Sequence, residues 1–176
     1  MFKKFIQKLF GLRTDVGLDF YLSSFFFKYV LFQNRKVPWH IHHTSTIHNF
    51  QNIVRGKSVF PGDSPGNYIE ASNGIFIGDF TNIGPNVGLI SANHHLIDNT
   101  KHTKAAPIKI GSFCWLGMNV VILPSVELGD FTVVAAGSIV TKNFSEGYCV
   151  IAGNPAKVIK YLDKNECEQF RRTKLS

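Results

Sequence analysis

Residues 110–140 read "IGSFCWLGMNVVILPSVELGDFTVVAAGSIV". An aliphatic residue returns every six places, as Ile110, Leu116, Ile122, Leu128, Val134 and Val140, and Gly111, Gly117, Gly129 and Ala135 each follow one of them. Two places before each aliphatic stands a small or modest side chain: Cys114, Val120, Val126, Thr132, Ser138. The same step runs upstream through Ile77-Gly78, Ile83-Gly84 and Leu89, with Thr81 and Val87 in the modest position, and more loosely through Ile41, Ile47, Ile53 and Val59. No helix accounts for it, because six residues advance a helical stripe by about 240° and wind it around the surface. An alternating strand would need a turn signal after every run, and none recurs at this interval. A solenoid of short strands and corners fits instead. Three hexads close one triangular coil, and each aliphatic points inward onto its equivalents about 4.8 Å above and below.

The rest of the composition agrees with such a body. The chain has 176 residues, 44% hydrophobic and 18% charged, enough for one domain with a sizeable core and unlike a disordered segment. Cys114, Cys149 and Cys167 are few, scattered and odd in number, which points to a reducing, cytoplasmic compartment. The net charge of +7 is uneven: residues 1–40 hold seven Lys/Arg against two acids, 41–154 six against seven, and 155–176 six against three. A near-neutral centre with basic ends does not read as a nucleic-acid platform. It suits a body that takes a polyanionic small molecule near its C-terminus and meets an anionic surface near its N-terminus.

The first thirteen residues, "MFKKFIQKLFGLR", place Phe2, Phe5, Ile6, Leu9 and Phe10 at helical spacing among Lys3, Lys4 and Lys8. Two readings stand: an amphipathic helix packed on its own domain or a neighbouring subunit, and a basic interfacial helix on anionic lipid. Charges inside the apolar run and the lack of a small-residue cleavage site argue against a secretory signal. Residues 20–32, "FYLSSFFFKYVLF", are too short to span a bilayer and contain Lys28. They are expected to be buried or to join the same docking surface.

The hexads break once. Leu89 to Ile110 is 21 residues, which read as a single coil exceeds eighteen by three, and "NHHLIDNTKHTKAAP", residues 93–107, is the polar excursion between them. Loops projecting from a rigid scaffold commonly carry chemistry, and a histidine at the base of one suits general-base work because an unperturbed imidazole titrates at about 6.5. A second histidine group, "HIHH" at 40–43, lies about fifty residues away with no acidic or cysteine partner nearby, so no metal is expected.

The hexads resemble those of the hexapeptide-repeat acyltransferases, and residues 75–160 are most similar to the galactoside, maltose and xenobiotic acetyltransferase branch. The resemblance implies an all-β fold, a left-handed parallel β-helix over residues 40–160 with the protruding loop 93–107. An α-helical, Phe-rich basic segment occupies 1–39 and a short C-terminal helix or tail 161–176. It further implies a homotrimer using acetyl-CoA as donor. "PNVGLISANHH" matches the stretch whose histidine takes the proton from the acceptor, which falls on His94. The backbone N–H of Met118 falls where the thioester oxygen is stabilised. Trp115, Gly117, Ala136, Thr141 and Lys142 match positions along the pantetheine and nucleotide, and Lys157 and Lys160 those beside the adenosine phosphates. The reaction implied is acetyl transfer to a sugar hydroxyl, in surface polysaccharide synthesis, in the cytoplasm or at the inner membrane face. Two rivals are an N-acetyltransferase of a nucleotide-linked amino sugar and a non-catalytic β-helix scaffold. The acceptor side departs from the family: "PGDSPGNYIEASNG" has no clear match to the Asn and Asp that its sugar-binding members present there, leaving Asn67, Glu70 and Asn73 as unranked polar candidates.

Overall fold

In the computed structural model, which describes residues 17–175, the aliphatic residues of the six-residue step all face the interior. From Ile77 to Val140 none of the nine is more than 3% exposed, and the modest partners Thr81, Val87, Cys114, Val120, Val126, Thr132 and Ser138 are buried with them. Removing these side chains from water along one axis is what holds the body together.

The strands form three sheets, one for each face of a prism. Sheet I holds β1 (Thr46–His48), β3 (Tyr68–Glu70), β6 (Gly88–Ile90), β9 (Val121–Ile122) and β12 (Ile139–Val140). Sheet II holds β2 (Ile53–Arg55), β4 (Ile75–Ile77), β7 (Ile108–Ile110) and β10 (Glu127–Leu128). Sheet III holds β5 (Asn82–Ile83), β8 (Trp115–Leu116), β11 (Thr132–Val134), β13 (Cys149–Ala152) and β14 (Lys157–Tyr161). All pairings are parallel except β13 with β14. Equivalent residues stack in register, as Ile83 on Leu116 on Val134 and Leu89 on Ile122 on Val140.

The register corrects the expected size of the excursion. Ile110 and Leu128 stack eighteen residues apart, but Ile77 stacks on Ile110, and Leu89 on Ile122, thirty-three apart. The loop therefore adds fifteen residues, not three. Leu89 and Ile110 lie on adjacent faces and would be six apart in an unbroken coil.

The glycine after each aliphatic has a stacking cause. A Cβ on Gly111 would lie 2.6 Å from the Asp130 nitrogen, and one on Gly117 2.7 Å from the Ala136 nitrogen, both backbone of the next coil. One corner carries instead a column of aromatics in the left-handed region: Phe80, Phe113, Phe131 and Tyr148, with φ between 48° and 57°. Each such residue costs about 1–2 kcal/mol of backbone strain. Face-to-face stacking at centroid distances of 5.2, 4.9 and 5.6 Å offsets it.

Helices close both ends of the described chain. α1 (Leu18–Phe25) runs on into a π turn, Phe26–Val30, and α2 (Lys164–Leu175) folds back onto the aromatic column. There Arg171 bonds Asp130 at 2.6 Å and lies 5.4 and 5.1 Å from the ring centres of Phe113 and Phe131. The expectation of a buried 20–32 segment holds only for one face: Tyr21, Ser24 and Lys28 are buried, whereas Phe25, Phe26, Tyr29 and Phe32 are exposed. The amphipathic pattern of residues 2–10 lies outside the described residues. Among those described, no helix is long and apolar enough to cross a membrane.

Candidate active site

The loop is a short hairpin. Asn93 accepts from Thr103 N–H at 2.8 Å, His95 N–H donates to Lys101 at 2.8 Å, and His94 stands opposite His102 in an antiparallel bridge. The two rings lie 4.5 Å apart at 35°. Asp98 turns the tip, bonded to Lys101 at 2.8 Å and to Thr100 at 2.5 Å, and the Lys101 ammonium foremost holds its carboxyl below the usual range.

His94 Nδ1 lies 2.6 Å from the Asn99 carbonyl oxygen. A carbonyl can only accept, so Nδ1 carries a proton, and in the neutral imidazole the lone pair is then on Nε2. Of the two partners open to the second ring nitrogen, Asp98 and a backbone carbonyl, the structure has the carbonyl. His94 is exposed.

The hairpin is fixed to the wall by two residues that the sequence offered as acceptor contacts. Buried Glu70 accepts from Ala92 N–H at 3.0 Å and Ser72 N–H at 2.8 Å. Asn73 donates through Nδ2 to the carbonyls of Ser91 at 2.9 Å and Thr103 at 3.1 Å, one on each arm. Asn67 is buried too, its Nδ2 donating to the Gly84 carbonyl at 2.8 Å. Glu70 and Asn73 thus hold main-chain groups, whereas the Asn67 Oδ1 is buried without a hydrogen-bond partner among the described residues.

The residues expected on the donor side fall on both edges of sheet I. Trp115 and Met118 are exposed beside Gly117 where the chain passes from sheet III to sheet I, and Ala136 lies one coil further along the same edge. Lys157 opens β14 at the end of that edge, opposite Ala152, and Lys160 follows opposite Val150. Thr141 and Lys142 sit on the other edge of sheet I, after β12, where Lys142 lies 5.6 Å from the Phe144 ring centre. That edge is the one His94 leaves, two coils earlier. Within one chain His94 and Met118 therefore stand on opposite edges of sheet I.

Three comparisons bear on this geometry. The family model of the bacterial transferase hexapeptide (six repeats) matches residues 107–142. The galactoside O-acetyltransferase of Escherichia coli (strain K12) is 39% identical over 95 residues, 52% of this chain and 46% of that protein. A solved galactoside acetyltransferase in complex with coenzyme A superposes with a TM-score of 0.65 at 30% identity, over 74% of this chain and 65% of that one. The maltose O-acetyltransferase of Clostridium difficile 630 does so at 0.62 and 31%, over 68% and 64%.

Residues 107–142 carry the bacterial transferase hexapeptide repeat, and the chain is similar to acetyltransferases over about half to three quarters of its length. Its hexapeptide-repeat neighbours imply a left-handed coil for the three parallel sheets. The chain spans less than half the length of the curated relatives it matches.

Beside these likenesses the structure adds features that sequence reasoning missed. His102 and Asn99 complete the setting of His94, and the turn residues "DNT" at 98–100 between two histidines were the available hairpin signal. The 40–43 histidines engage α1: His40 Nδ1 meets Ser24 Oγ at 3.3 Å, and the His43 ring stacks on Phe27 at 4.1 Å. Among the described residues no cluster of three or more His, Cys, Asp or Glu is arranged to hold a metal.

Proposed function

We propose that the protein transfers an acetyl group from acetyl-CoA to a sugar hydroxyl, with His94 as general base, in a homotrimer whose donor groove lies between subunits. The observation that carries the reading is the 2.6 Å bond from His94 Nδ1 to the Asn99 carbonyl, which in the neutral imidazole puts the lone pair on Nε2. Nε2 takes the proton of the acceptor hydroxyl as its oxygen attacks the thioester carbon. The oxyanion that forms accepts from the Met118 N–H. Collapse breaks the C–S bond, and the coenzyme thiolate leaves with the proton that His94 returns.

Trp115, Gly117, Ala136 and Thr141 line the pantetheine path in this reading, and Lys142, Lys157 and Lys160 meet the phosphates. The separation of His94 and Met118 on opposite edges of sheet I supports an assembly in which the two edges meet from adjacent copies, as they would in a trimer. The bare tip of the hairpin agrees, with Leu96 and Ile97 99% and 93% exposed. Three free cysteines, two of them buried, suit the cytoplasm. A surface polysaccharide or its lipid-linked precursor is the acceptor class proposed.

The test is calorimetric titration of acetyl-CoA into the wild type and His94→Ala, with thiol release followed over sugars and amines. Binding in both and turnover in the wild type alone is the expected result, and hydroxyl or amine preference names the bond formed. Absence of binding in either would return the chain to the scaffold reading.

A further inference from the structure

Helix α1 is built inside out. Its protein-facing side carries Tyr21, Ser24 and Lys28, and the Lys28 ammonium donates to the carbonyls of Val37 and Trp39. Its outward side carries Leu22, Phe25, Phe26 and Tyr29, at the i, i+3, i+4, i+7 spacing of one helical face, continued by Leu31 and Phe32. These six are 48–65% exposed. A helix whose only apolar contacts were with its own protein would be turned the other way. A contiguous aromatic face of this kind marks a contact with something apolar.

The surroundings say what. Phe32 also borders a cleft of about 500 Å³ whose walls include Arg35, Lys36 and His48, and the Arg35 guanidinium lies 5.2 Å from the Phe32 ring centre. From residue 17 to residue 62 the chain has five Lys/Arg against a single acid, Asp19 in the first turn of α1. A self-complementary contact between two copies would bring this basic patch, with Arg35 and Lys36, into one interface twice, so that like charges share it. An anionic bilayer meets both parts: rings and aliphatic chains at the acyl boundary, guanidinium and ammonium at the phosphates.

We infer that α1 and the turn after it dock the N-terminal end of the β-helix on an anionic phospholipid membrane, Phe25, Phe26, Tyr29 and Phe32 entering the interface and Arg35 and Lys36 binding headgroup phosphate. The test is co-sedimentation of the full chain with phosphatidylglycerol–phosphatidylcholine vesicles and with pure phosphatidylcholine. No acetyl-CoA is present, so the outcome is independent of the catalytic reading. Binding is expected on the anionic vesicles only. Phe25→Ser/Phe32→Ser and Arg35→Glu/Lys36→Glu should each weaken it about tenfold or more, with thermal unfolding unchanged. Wild-type binding by both double variants would overturn the inference, because another segment would then carry the attachment. So would absence of binding by the wild type, or a change of oligomeric mass in the variants, which would make the face a contact between copies.

Discussion

The imidazole of His94 is held by its own loop: Nδ1 donates to the main-chain carbonyl of Asn99, five residues on, at 2.6 Å. Because the acceptor is backbone, the side chain of Asn99 is dispensable. Asn99→Ala is expected to keep kcat within about twofold, whereas His94→Ala should lower it by about 10²–10⁴. Steady-state thiol release reads both, and a large loss in Asn99→Ala would show that the tautomer is set some other way.

Glu70 is expected to act as a positioning residue. Glu70→Ala strips the acceptor from the buried N–H of Ala92, at a cost of about 1–3 kcal/mol in urea unfolding. Glu70→Gln keeps the volume but offers one acceptor oxygen to two N–H groups, and should lower kcat while leaving the KM for acetyl-CoA in place. A rise in that KM alone would assign Glu70 to the donor side instead.

Gly117 separates a stacking role from a ligand role. In Gly117→Ala the new Cβ meets Ala136 N and Val134 O at 2.7 and 2.9 Å, both main chain, so overpacking of about 1–3 kcal/mol is expected. Differential scanning calorimetry should show Tm falling by about 2–4 °C per kcal/mol. An unchanged Tm with weakened coenzyme binding would reverse the assignment.

The end of the aromatic column gives an alkaline signature. Tyr148 donates to Glu168 Oε1 at 2.5 Å, and that bond, with some burial, raises the phenol from 10.0 to about 12. The fold thus favours the neutral phenol: the linked stability is present in full below about pH 10 and is lost as pH climbs toward 12. Absorbance titration should find one of the five tyrosines ionising late. Glu168→Gln should bring it back toward the others, and Tyr148→Phe should remove it.

The period was legible because stacking makes the same demand at every coil. Ile110, Leu116 and Ile122 each need an apolar neighbour above and below, and the Gly after the aliphatic marks where two backbones approach. Register across the loop was not legible from spacing, since fifteen extra residues return the chain to the same face that zero would. Face assignment, and with it the separation of His94 from Met118, needed the pairing of Ile77 with Ile110. The roles of Glu70 and Asn73 were hidden for a related reason: both bond main-chain groups eighteen or more residues away. For residues 20–32 the sequence left burial and a docking surface open, because hydrophobicity alone does not say which face of a helix is turned outward.

A parallel stack has no internal limit on its length, since the last rung of each sheet is a template for one more, in the same molecule or another. The reversal at β14 removes that template from sheet III. Its antiparallel pairing carries a slip between Val150 and Ile151, and Lys157 and Lys160 stand on its exposed strand. An incoming coil would meet the wrong bond pattern and two positive charges. Rungs could be inserted beneath this closure in the course of evolution without producing an adhesive end, so the number of turns is free to vary while polymerisation through that sheet stays blocked.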